Sequence, residues 1–172
     1  EAGIASACRE AAQGQVVEPV NFNGPGQIVI AGHREAVERA IAGAKAMGAK
    51  RALLLPVSAP FHSSLLKPAA ERLATYLESV PVTQATVPVL HNVDVQVARS
   101  PAALRTALAT QAASPVRWSE TIEAFAAQGI THVAECGPGR VLSGLVKRIA
   151  PELEALPLND AEAIATAIAA IR

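Results

Sequence analysis

Cysteine is scarce in this chain. Only Cys8 and Cys136 occur, far apart and in no Cys-x-x-Cys pair, so neither a zinc site nor a disulfide scaffold is indicated. That usage fits a reducing cytoplasm. Aromatics are as thin, with one Trp, one Tyr and three Phe, and the apolar content falls to Ala, Val, Leu and Ile instead. Such a composition favours helices packed on sheets over an aromatic recognition surface. No sign of charge is in excess: fifteen acidic residues offset fifteen basic ones, well mixed, which excludes the basic clustering expected of a nucleic-acid binder. No apolar run approaches the ~18 residues of a membrane span, and nothing resembles a targeting segment. A starting methionine is also lacking. The sole Met is Met47, so a segment is expected to precede Glu1.

What is present reads as a globular α/β protein. At 172 residues, 51% apolar and 17% charged, there is chain for one fair-sized core or two small ones. Residues 5–13 read as the end of a helix. Val16, Val17 and Val20 open a strand to Asn23, Gly24-Pro25-Gly26 turns the chain, and 27–31 returns as a second strand. Val37, Ile41, Ala44 and Met47 then recur on one helical face, and 51–57 reads as a β run. Helix, strand, strand, helix, strand is the order of a split βαβ module without its first strand. Residues 58–172 alternate helices with short strands. Helices are expected around Leu65–Leu77, after Pro101, after Pro115, over 140–149 and over 160–171, with strands at 87–93 and 130–135 and a strand or extended run at 153–158. This alternation indicates α/β layering, and the domain division is 1–57 and 58–172.

The segment from Leu53 to His62 (LLLPVSAPFH) is the most informative for chemistry. A buried strand is expected to end there, two prolines stiffen the loop, and a histidine stands just before a helix. Ligand sites in open α/β sheets form at the carboxyl ends of strands, and a histidine there is placed for proton transfer near neutral pH. The plainer reading keeps His62 as a residue that caps or packs against the helix. His33, His91 and His132 have no partner at ligand spacing, which argues against metal and for structural roles. Glu135-Cys136-Gly137-Pro138-Gly139-Arg140 invites a phosphate-loop reading, yet its spacing fits neither phosphate motif. A tight strand-to-helix turn accounts for the glycines, with Cys136 expected to be small and buried. A histidine base needs a nucleophile, and no Gly-x-Ser-x-Gly elbow occurs: Ser143 has Val141 before it.

Four segments, in order, resemble the malonyl-CoA:acyl carrier protein transacylases of bacterial fatty acid synthesis. They are NFNGPGQIVIAG at 21–32, LLLPVSAPFHSSLLKPAAERL at 53–73, QAASPVRWSETIEAFAAQGITHVAECGPGRVLSGL at 111–145 and KRIAPELEALPLND at 147–160. The resemblance implies an α/β-hydrolase-like domain carrying an inserted ferredoxin-like small subdomain, with 1–57 as most of the latter and 58–172 as the C-terminal part of the former. It implies ping-pong transfer of malonyl from coenzyme A to the phosphopantetheine thiol of acyl carrier protein through a serine ester. His62 matches the catalytic histidine of that family. Gln111 matches the position whose backbone carbonyl orients the histidine ring, where a Ser-His-Asp triad would use an acid. Asn21, Asn23 and Phe61 match substrate-binding positions, although local backbone bonding serves the asparagines equally well. Lys67, Arg140, Lys147 and Arg148 either meet an acidic carrier protein or are solvated surface charges. The resemblance implies no bound cofactor or metal, with malonyl-CoA as substrate. The serine nucleophile is expected on the segment that precedes Glu1, and without it this chain is expected to be inactive. Two alternatives stand beside this reading: a noncatalytic docking module for carrier protein, and an acyltransferase domain of a polyketide synthase.

Overall fold

Small side chains decide how the N-terminal helices meet. In the computed structural model, which describes residues 1–171, α1 (Ala2–Ala12) packs against α2 (Arg34–Ala46). Ala7, Cys8 and Ala11 of α1 and Ala36, Ala40 and Ala44 of α2 are buried. The four-residue spacing on α2 aligns its alanines on one face, and their single methyls let the two helices approach closely. Between them run β1 (Val17–Gly24) and β2 (Gln27–Gly32), paired as a two-stranded sheet. Cys8, Ala11, Val17, Ala36 and Ala40 form one core, with Ile4, Ile30 and Val37 against it. Gly32 is fixed by contact, because a Cβ there would lie 2.0 Å from the Val16 carbonyl oxygen. Arg39 ties off α1 by donating to Ala11 O at 2.8 Å, Ala12 O at 3.2 Å and Gln15 Oε1 at 2.9 Å, satisfying carbonyls that a helix end leaves open.

The chain divides into two compact units: residues 1–22 with 26–117, and residues 23–25 with 118–172. The first also holds α3 (Lys67–Glu78), which packs on α4 (Pro101–Gln111). A short 3-10 turn, Ser64–Leu66, leads into α3. Ser100 caps α4 by accepting from Ala103 N–H at 3.1 Å, and Arg105 donates to Leu77 O and Val80 O, both at 2.8 Å, at the end of α3. β3 (Leu90–His91) and β4 (Gln96–Val97) pair antiparallel.

In the second unit, α5 (Trp118–Ala127) precedes a β-α-β stretch: β5 (His132–Cys136), α6 (Val141–Ile149) and β6 (Glu154–Leu158). The strands run parallel in register from His132 opposite Glu154 to Cys136 opposite Leu158. Ile122, Val146, Ala150, Leu153 and Ala155 make the core, and α7 (Ala161–Ile171) packs on β6. The fold is thus mixed α/β.

Three expectations need correcting. Residues 51–57 form no strand. A strand exists by its ladder, and no other strand of the described residues pairs with this run, whose Leu53, Leu54 and Leu55 are about half exposed. The strand expected over 87–93 is confined to Leu90–His91, since Asp94 and Val95 (φ +58°) turn the chain straight back. Cys136 is exposed, not buried: it is the last residue of a strand whose sheet has two strands among the described residues. No helix among the described residues is long and apolar enough to cross a membrane.

Candidate functional site: a clamped histidine

Pro60 and Ser63 set the local geometry before His62 enters it. Ser63 is fully buried, and both its N–H (3.3 Å) and its hydroxyl (2.7 Å) donate to Pro60 O, closing a tight turn over 60–63. His62 lies inside that turn with φ +64°, a left-handed conformation that side chains other than glycine seldom hold. Such backbone costs of order 1–3 kcal/mol and persists only where its surroundings hold it. Here they do. Ser63 O accepts from Leu66 N–H at 3.0 Å to open the 3-10 turn that follows.

The His62 ring is half-buried and reaches the C-terminal residue of α4, its Nδ1 standing 3.0 Å from Gln111 O. A carbonyl oxygen can only accept, so this bond puts the hydrogen on Nδ1. In the neutral ring Nε2 then keeps the free lone pair. The arrangement can therefore take a proton from a group placed at Nε2 and return it.

Of the other sequence-selected positions, Asn21 of β1 bridges in parallel to Val116, five residues past Gln111 in the chain. Phe61 is exposed beside His62. Asn23 belongs to the second compact unit. The remaining histidines have local duties. His33 Nδ1 accepts from Val16 N–H at 3.0 Å, His91 is buried in β3, and His132 pairs with Glu154 at 3.2 Å. Arg140 donates to Asn159 Oδ1 at 3.3 Å. No cluster of three or more His, Cys, Asp or Glu among the described residues is placed to hold a metal ion.

The 135–140 loop works as a turn held by a carboxylate. Glu135 accepts from Leu142 N–H (3.1 Å), Ser143 N–H (2.7 Å) and Ser143 Oγ (2.7 Å) at the start of α6. Desolvation pushes its carboxyl up, but the hydrogen bonds from Ser143, Leu142 and Val141 outweigh it and hold the group below its ordinary range. Glu135 thus fills the helix N-terminus where a phosphate would otherwise bind.

Sequence reasoning passed over Glu18. Its carboxylate accepts from Ser64 N–H at 2.7 Å and from Ser64 Oγ at 2.8 Å, gripping the chain two residues past His62. The one available signal was a carboxylate set among Val17, Pro19 and Val20 in a strand.

Among known proteins, a malonyl CoA-acyl carrier protein transacylase of Escherichia coli (strain K12) is 56% identical over 168 residues, covering 98% of this chain and 54% of the relative. An acyl-carrier-protein S-malonyltransferase from Burkholderia pseudomallei 1710b superposes with a TM-score of 0.95 at 50% identity, over 98% of this chain and 55% of that one. A malonyl-transacylase solved in complex with a type II PKS acyl-carrier protein superposes at 0.97 with 52% identity, over 99% and 55%. The chain spans about half the length of the curated relatives it matches. The family model for the acyl transferase domain matches residues 1–167, nearly the whole chain, and the chain belongs to that family.

Proposed function

We propose that this chain is the histidine-bearing part of a transacylase that moves malonyl from coenzyme A to the phosphopantetheine thiol of acyl carrier protein, serving fatty acid synthesis in the cytoplasm. One observation carries the reading: in a chain of the acyl transferase domain family, His62 Nδ1 meets Gln111 O at 3.0 Å. That bond leaves Nε2 free as a base, which is what activation of a serine requires. As the serine oxygen attacks the malonyl thioester carbon, Nε2 takes its proton. The carbon–sulfur bond then breaks and coenzyme A departs as thiol with that proton. In the second half the pantetheine thiol gives its proton to Nε2 and attacks the ester, and the serine recovers it on leaving.

Gln111 acts through its backbone carbonyl, fixing one tautomer and the ring's direction. Asn21, Asn23 and Phe61 are assigned to the acyl and pantetheine chains, with Phe61 beside the acyl α-carbon. In the same reading 1–57 belongs to a ferredoxin-like small subdomain and 58–172 to an α/β-hydrolase-like one. The hairpin with its two helices and the parallel β5–α6–β6 stretch support two subdomains of these kinds, while residues 58–117 cluster with the N-terminal unit. The serine belongs to a segment outside this chain. The test is to incubate the full-length protein with malonyl-CoA, without carrier protein, and to look by intact mass and peptide mapping for a malonyl ester on a serine. A malonyl adduct that discharges on adding acyl carrier protein supports the proposal, and turnover with no covalent adduct overturns it.

A further inference from the structure

The strained histidine is held from three directions, and only one of them is its own ring. Behind it, Ser63 closes on Pro60 O. At the ring, Nδ1 meets Gln111 O. Ahead of it, the N–H and the hydroxyl of Ser64 donate to the two carboxylate oxygens of Glu18, 46 residues away in sequence. Glu18 lies on β1, and β1 also carries the other half of the pair. Val20 O accepts from Val116 N–H at 2.8 Å, and Phe22 N–H donates to Val116 O at 2.9 Å. One strand therefore sets the chain just after His62 through Glu18 and the chain just after Gln111 through Val20 and Phe22.

We infer that Glu18 is a positioning residue for the transfer reaction, acting through Ser64 to hold His62 in its left-handed conformation with Nδ1 on Gln111 O and Nε2 directed at the reacting groups. A carboxylate suits the task better than a neutral group. It accepts only, so it cannot compete with the Ser64 N–H as a donor, and its two oxygens take the backbone and hydroxyl hydrogens together. Without it, relaxation of the unfavourable φ at His62 would swing the ring off the Gln111 carbonyl. The cost falls on proton transfer, since a base displaced by about 1 Å loses rate steeply, whereas substrate affinity is set elsewhere.

This inference rests on the proposed malonyl transfer, and the experiment keeps the two apart. In the full-length transacylase, Glu18→Ala, Glu18→Gln and Ser64→Ala are compared with wild type for kcat and KM of malonyl-CoA. The ring nitrogens of His62 are followed separately by ¹⁵N NMR of histidine-labelled protein. Glu18→Ala should lower kcat by roughly tenfold or more while KM stays within about twofold, and should turn a single Nδ1–H tautomer into a mixture. Glu18→Gln keeps the shape and one acceptor oxygen and should fall between, as should Ser64→Ala, which keeps only the backbone bond. If Glu18→Ala does not fold, Glu18→Gln and Ser64→Ala decide by the same measurements. Unchanged kcat with an unchanged tautomer overturns the inference, as does a kcat loss that leaves the tautomer intact. Absence of malonyl transfer by wild type would instead overturn the functional reading, and the ring signals would still decide whether Glu18 positions His62.

Discussion

In the proposed transacylase, proton traffic and ring orientation are separable duties, assigned to the two residues of the His62–Gln111 pair through different atoms. His62 contributes its side chain, so His62→Ala in the full-length enzyme removes the base itself. Loss of a general base costs on the order of 10²–10⁴ in rate, and with the ring half-buried at the surface of its unit the fold should survive. Gln111 contributes a backbone oxygen, which Gln111→Ala retains, so that variant should lose far less. Steady-state malonyl transfer by both variants, with circular dichroism as a check on folding, measures the difference. Equal losses would mean that the Gln111 side chain, not its carbonyl, does the work.

Helix ends and helix contacts respond to different perturbations. The α1–α2 interface is built of alanines, with Ala36 and Ala40 almost completely buried, so it has no room for a longer side chain. Ala40→Leu should destabilise by about 1–3 kcal/mol through overpacking, read as a lower urea midpoint with little change in slope. The start of α6 answers to pH instead. Glu135, held below its ordinary carboxyl value of 4.5 by bonds from Ser143, Leu142 and Val141, binds protons less readily folded than unfolded. Its contribution is therefore complete above the unfolded value and is lost as pH falls through the folded one. Glu135→Gln should be less stable than wild type near neutrality, and the gap should close as the medium is acidified through the lowered folded-state value of Glu135. A gap that does not change with pH would show that shape, and not charge, holds the turn.

Taken as a whole, the chain carries a proposed base and no elbow. No Gly-x-Ser-x-Gly occurs anywhere in it, and the chain spans about half the length of its curated relatives. A base without its nucleophile cannot form the ester, so the 172-residue chain by itself should show no malonyl transfer. Adding the serine-bearing segment should restore it. Robust turnover by the chain alone would place the nucleophile among its own serines. The apolar side chains of Leu53, Leu54, Leu55 and Val57, about half exposed or more, sit just ahead of the His62 turn.

Local pattern alone marked the helices and the segments at 130–135 and 153–158, whose parallel pairing only the tertiary structure shows. Val37, Ile41 and Ala44 mark α2, Ser100-Pro101 opens α4, and the apolar runs at 130–135 and 153–158 become β5 and β6. These signals are local because helix periodicity, caps and turn residues act within a few positions. The sequence also singled out His62, from its place between a stiff loop and a helix. It did not determine whether 51–57 would be a strand, since pairing depends on a neighbour that may lie anywhere in a chain. Gln111 was reached only through the family resemblance, for its residue type carries no trace of a role played by its carbonyl. The conformation of His62 and its grip by Glu18 belong wholly to the tertiary structure. The contacts concerned join residues 46 and 49 positions apart, and a left-handed histidine is stable only where such distant groups converge to hold it.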